Sequence, residues 1–189
     1  MTSISPVSQA IASDNGSTFR PIVRFGGCAA IAGGLLRLMA AIPASQNLPG
    51  VQWLYLSIDC LLLFGLLAIY VRHADKLGRL GLIAFCTGVA AICVIRSQMA
   101  LGGWTYIGGA LALSLSLGTL GAMLRSQPGF QFAPYSWAAS IITGAVATAL
   151  PSFDAISFTV AGALFGVGFV CVGVGLLSKN EPLQTERAN

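Results

Sequence analysis

Long apolar runs separated by short polar stretches make up most of this chain. Six can be distinguished: Ile22 to Ile42, Val51 to Val71, Leu80 to Ile95, Leu101 to Leu124, Tyr135 to Leu150, and Ala155 to Leu177. Strands of a membrane barrel would alternate polar and apolar residues over about ten positions, and these runs do not. In hydrocarbon every backbone N–H and C=O must be paired within the protein, so apolar runs without alternation read as helices. At ~1.5 Å rise per residue, about 20 residues cross a ~30 Å hydrocarbon layer. Most of the runs meet that length, and the third and fifth are marginal. The expected fold is an all-α integral membrane protein of six transmembrane helices.

Composition supports a membrane location. The 189 residues are 56% hydrophobic and 8% charged, where a soluble domain averages roughly 25% charged. A hydrated shell cannot be built from so few charges. The formal charge of +4 belongs to the loops, with no Lys/Arg cluster interleaved with aromatics, so no nucleic-acid partner is expected. The bilayer is the expected partner, with the cytoplasmic membrane of a bacterium the expected location.

Charge placement predicts the topology. With the N-terminus in the cytoplasm, the inner side receives Arg20, Arg24, Arg72, Lys76, Arg79, Arg125, Lys179 and Arg187, and the outer side only Arg96. That is a clear positive-inside bias, and it puts both termini in the cytoplasm. Residues 1–20 are polar, rich in Ser and Thr, and lack the early basic stretch of a secretory signal, so a disordered tail is expected before the first span. The transmembrane domain then covers 21–178, and 179–189 form a second disordered tail.

Aromatic residues mark the same boundaries. Trp53 and Tyr55 open the second run and Trp104 and Tyr106 the fourth, where amphipathic rings anchor at headgroup level. "WLY" and "WTY" stand 51 residues apart, and Gly65 to Arg72 matches Gly118 to Arg125 in spacing. Gly34, Gly88 and Gly144 recur at separations of 54 and 56 residues. Three parallel two-helix pseudo-repeats would account for these matches, as would chance in Gly-, Ala- and Leu-rich sequence. Small residues spaced four apart, at Gly26/Ala30/Gly34, Ala110/Ser114/Gly118 and Gly162/Gly166, suit close helix packing. The contact can lie within the chain, with a partner helix, or in a homo-oligomer.

Catalytic and cofactor chemistry finds no motif. There is no GxSG serine with an intramembrane His, no GxGD aspartyl motif, and one histidine, His73, where HExxH zinc chemistry needs two. No lysine in a span can hold retinal, and haem lacks axial histidines. Cys28, Cys60, Cys86, Cys93 and Cys171 lie in apolar runs without a CxxC pair, which suits packing better than a disulfide framework or a metal site. No cofactor or metal is expected.

What remains is a small set of charges. Asp59 lies about eight residues into the second run, roughly 12 Å below its outer end, and Arg37 roughly 9 Å below the same boundary. The short loop "PASQNLPG" makes their helices antiparallel neighbours, so the two charges can meet at one depth. A lone Asp at mid-membrane costs about 2.5–3.5 kcal/mol, and pairing with Arg37 would relieve it. The pair reads either as a structural lock or as a ligand-binding site, and snorkelling of Arg37 is the third reading. Arg96, Gln98 and Asp154 fall at outer helix ends and could line a vestibule, although Asp154 also suits an ordinary helix N-cap. The functional expectation is a small transporter or binding protein with a polar site in the outer half of the bilayer. The alternatives are an accessory subunit of a larger membrane complex and an intramembrane enzyme acting on a lipid.

Overall fold

A computed structural model of the chain describes residues 6–42, 44–45, 49–102, 104–127, 129–149 and 154–178. Its helices are α1 (Pro6–Ala40), α2 (Val51–Arg96), α3 (Gln98–Leu101), α4 (Trp104–Leu124), α5 (Ala133–Ala149) and α6 (Asp154–Leu177), with no strand among the described residues. Four of them, α1, α2, α4 and α6, are long and apolar enough to cross a membrane. Helix α5 has 17 residues, about 25 Å at the α-helical rise. The described residues are therefore all-helical, with several helices compatible with an integral membrane protein.

Helix α1 begins at Pro6 and runs on through the polar stretch whose composition predicts a disordered tail. Proline suits a helix start, where its missing N–H has no intrahelical partner to lose. Pro21 lies inside the helix, at the border between the polar extension and the apolar span. The remainder of that tail, residues 1–5, and the second one, 179–189, lie outside the described residues.

Helix α2 doubles back on itself. Its 46 residues break at His73 (φ −121°, ψ 17°) and Gly78 (φ 51°, ψ −151°). The positive φ at Gly78 is open to glycine without steric cost, which is what lets the chain reverse there. Tyr70 stacks on Phe85 with ring centroids 5.1 Å apart, whereas a straight helix would separate residues fifteen apart by about 22 Å. Asp59 likewise reaches Arg96. Two arms result, a first arm over 51–72 and a second over 79–96.

Contacts join the helices in a closed circuit. The first arm packs on α1, α1 on α6, α6 on α5, and the second arm on α4, with a smaller contact joining α4 and α5. Small residues permit the tightest crossings. A Cβ at Gly26 would fall 2.2 Å from Ala68 Cβ, and Gly34 and Gly166 each bring a carbonyl oxygen 2.6 Å from where the other's Cβ would be. Lipid offers no hydrophobic drive between helices, so such close approach and interhelical hydrogen bonds hold the bundle. Ser116 Oγ donates to Ala84 O (2.7 Å), Ser136 Oγ to Leu164 O (2.6 Å) and Ser140 Oγ to Ala161 O (2.7 Å). The indole of Trp137, 1% exposed, packs against Phe169 at 5.4 Å.

Large apolar side chains point outward. Phe25, Leu115, Phe132 and Ile156 are exposed, as are Trp53 and Trp104 at the starts of α2 and α4. In water this would be an unsatisfied surface; against hydrocarbon it is a solvated one. The small-residue stripes divide. Gly26, Ala30, Gly34, Gly162 and Gly166 make contacts within the chain, whereas Gly118 has nothing within 4 Å of a Cβ. The glycines at matching repeat positions also differ. A Cβ at Gly34 meets backbone, one at Gly88 lies 2.5 Å from Ser116 Oγ, and one at Gly144 meets only Ala161 Cβ at 4.0 Å.

Candidate functional site

Four side chains from three helical segments meet at the end of the bundle opposite the α2 bend. Arg37 is in the last turn of α1 and Arg96 in the last turn of α2. Tyr55 and Asp59 lie four residues apart on the first arm, one helical turn, and so share a face. The guanidinium carbons of Arg37 and Arg96 each stand 5.6 Å from the centre of the Tyr55 ring. Since α1 and the second arm both flank the first arm, Tyr55 receives a cation from each neighbour. Such a contact contributes about 0.5–1 kcal/mol when exposed and ~2 or more when desolvated.

Asp59 is ion-paired with Arg96 through Nε of the guanidinium, and not with Arg37. The expected neighbour helix is present, yet the carboxylate turns toward the other one. The reason lies in the hairpin: residues 59 and 96 are nearly equidistant from the bend, so an antiparallel fold places them level. The carboxylate side chain is 19% exposed and the arginine 36%. A pair this sheltered is worth more than a fully hydrated one, but less than a buried one.

Arg37 is left without a carboxylate among the described side chains. The carbonyls at this end of α1 accept from other donors: Arg37 O and Leu38 O from Ala41 N, Met39 O from Ile42 N, and Ala40 O from Ser45 Oγ. On its α6 side stands Gly162, where a Cβ would lie 3.7 Å from Nη2. At that position α6 carries no side chain.

Of the remaining site residues expected from sequence, Arg96 joins the cluster and Gln98 does not. Gln98 is exposed at the start of α3. Asp154 opens α6, and its side chain lies outside the described residues. Tyr55, by sequence an interfacial anchor, is a member of the cluster; its place one turn before Asp59 is the signal that it shares the acid's face. No group of three His, Cys, Asp or Glu that could hold a metal occurs among the described residues, and the five cysteines are free thiols. A shallow groove between the arms, lined by Cys60, Leu63, Phe64, Leu67, Phe85 and Val89, is wholly apolar in character. It suits an acyl chain and offers a polar solute nothing.

A second polar group sits at the bend end, formed by the last residue of the first arm and the residues that join the two arms. Arg72 Nη1 donates to Leu176 O, and Lys76 Nζ donates to Gln127 Oε1 at 3.0 Å. His73 is buried and meets Phe130 edge-on at 5.5 Å. Gly129 (φ 83°) lets the α4–α5 turn settle on α6, where its Cβ would be 2.4 Å from Gly175 Cα. These contacts tie the bend to α6 and to the turn after α4.

Burial of His73, with the charges of Arg72 and Lys76 beside it, lowers its pKa from 6.5 to about 4. The folded protein therefore keeps His73 neutral at pH values where the unfolded chain has already taken up a proton. This contribution to stability is fully present above pH ~6.5, declines as the pH falls, and is gone below the folded pKa. Between pH 7 and pH 5 the loss should be about 2 kcal/mol. Thermal unfolding in a non-ionic detergent checks this: His73→Gln should flatten the dependence in that window, and an unchanged slope would assign it to other groups.

No protein-family model matches the chain, and no curated protein or solved structure shows significant similarity to it.

Proposed function

We propose that this protein binds, and in a membrane carries, a small polar solute at the Arg37–Tyr55–Asp59–Arg96 cluster. One observation supports the reading above the rest. Three helical segments bring two guanidiniums and one carboxylate to a single tyrosine ring in a chain that has only 8% charged residues. Charged groups at membrane depth are costly, and their convergence marks substrate or ion sites more often than it marks packing. In this proposal α1, the two arms of α2, α4, α5 and α6 each cross the membrane, giving six crossings. The positive-inside distribution then puts both termini in the cytoplasm, the bend at the inner face and the cluster in the outer half of the bilayer. The bacterial cytoplasmic membrane is the location that fits.

A thermal-unfolding screen of the purified protein in dodecyl maltoside tests the reading. Cationic, neutral, zwitterionic and anionic solutes are supplied at one ionic strength. At least one class should raise the unfolding temperature saturably in the wild type and fail to do so in Tyr55→Ala. No response to any class would remove the solute-binding reading.

A second reading, an accessory subunit, rests on α4. Gly118 and Gly108 have nothing within 4 Å of a Cβ, and Ala110 and Ser114 on the same helix are only half-buried. An open stripe of small residues suits a partner helix. Gentle extraction should then yield a particle larger than the chain itself, and a monodisperse monomer would count against it.

A further inference from the structure

We infer that the ligand of the cluster is an anion, a carboxylate or phosphate group of single negative charge, and that Arg37 is its anchor. The inference rests on the solute-binding reading above and adds the chemical class. The described side chains of the cluster carry two positive charges and one negative. Asp59 is engaged by Arg96, so the surplus cation is Arg37.

Among the described residues, no group with a full negative charge is paired with the Arg37 guanidinium. The Tyr55 ring offers a quadrupole, and at Gly162 there is room for no more than a methyl group, whose Cβ would lie 3.7 Å from Nη2. The end of α1 favours a cation through its dipole. Its carbonyls accept from Ala41 N, Ile42 N and Ser45 Oγ and not, among the described hydrogen bonds, from the guanidinium. A guanidinium has five N–H donors in a planar fork and no acceptor. The half-buried fork donates no hydrogen bond to a described residue, which leaves its donors unpaired among the described residues.

A carboxylate or phosphate accepts two parallel N–H bonds from such a fork and cancels the surplus charge. Tyr55, held by Arg96 on its other flank, forms a wall against which the anion's carrier can lie. Asp59 contributes selectivity: a ligand with a second negative charge would be repelled, and one with an ammonium group can approach the carboxylate. The same fork would recognise the phosphate of a lipid headgroup, so the anion has two sources with one chemistry.

The test uses the protein in dodecyl maltoside, which carries no phosphate, with benzoate and diethyl phosphate, both monoanions, as soluble probes. Phosphatidylglycerol retention in native mass spectrometry is the lipid arm. Saturable stabilisation by either soluble anion, with affinity at least about tenfold weaker in Arg37→Gln, supports the inference with a soluble ligand. Retention of phosphatidylglycerol alone, lost in Arg37→Gln, supports it with a lipid ligand. Arg37→Lys keeps the charge and loses the fork, so it should fold and bind more weakly, and it reports if Arg37→Gln does not fold. Anion binding unchanged in both variants overturns the inference. So does binding of cations or neutral solutes without anions, which leaves the solute-binding reading standing. Absence of binding by every class ends both.

Discussion

Gly34→Ala is expected to lower stability by about 2–3 kcal/mol, whereas Gly118→Ala should leave it unchanged or slightly raised. The chemical change is the same at both positions, one methyl group in a helix. At Gly34 the new Cβ would lie 2.6 Å from Gly166 O, 2.8 Å from Val170 Cγ2 and 3.1 Å from Val170 N, while at Gly118 it meets nothing within 4 Å. A backbone carbonyl cannot rotate away as a side chain can, so α1 and α6 would have to separate. Arg37 stands one turn beyond Gly34, and the same separation would move its guanidinium from Gly162. Unfolding temperature and detergent-solubilised yield, measured for both variants, check the contrast. Equal sensitivity at the two positions would mean that the α1–α6 crossing is not where the close approach lies.

The helical class and the membrane-crossing character are legible in the sequence, because unbroken apolar runs of this length are solvated only by hydrocarbon. The small residues on which α1 packs are legible too. Helix rotation is not. The loop between α1 and α2 makes those helices neighbours, and that alone pairs Asp59 with Arg37. A helix has several neighbours, and the pairing of Asp59 with Arg96 follows only once the bend at His73 and Gly78 is located. The burial of His73 is equally hidden, since it lies between Arg72 and Asp75 in a stretch with the composition of a loop. Phe130, arriving from the α4–α5 turn, packs edge-on against it. The helical start at Pro6 runs against a polar composition that carries no periodic signal.

Asp59→Ala is expected to cost about 2 kcal/mol, because it strips Arg96 of its only carboxylate among the described residues. Fully exposed pairs contribute about 0–1 kcal/mol and breaking buried ones costs about 3–5; the partial shelter of this pair places it between. Arg96→Ala should cost a similar amount, since it leaves the carboxylate without its cation. Arg37→Ala should be milder in the absence of ligand, because among the described residues its guanidinium has the Tyr55 ring beside it and no carboxylate. Binding should show the reverse order. Arg37→Ala removes the anchor, while the Asp59 and Arg96 variants disturb the wall beside it.

Partnership of Asp59 with Arg96, leaving Arg37 free for a ligand, is a statement about coupling energies. Two double-mutant cycles in detergent-solubilised, ligand-free protein measure them: Asp59→Ala with Arg96→Ala, and Asp59→Ala with Arg37→Ala. The first cycle should give a coupling energy of about 1–2 kcal/mol, and the second should be additive within about 0.5 kcal/mol. Strong coupling between Asp59 and Arg37, with additivity between Asp59 and Arg96, would contradict the partnership and the free Arg37 together.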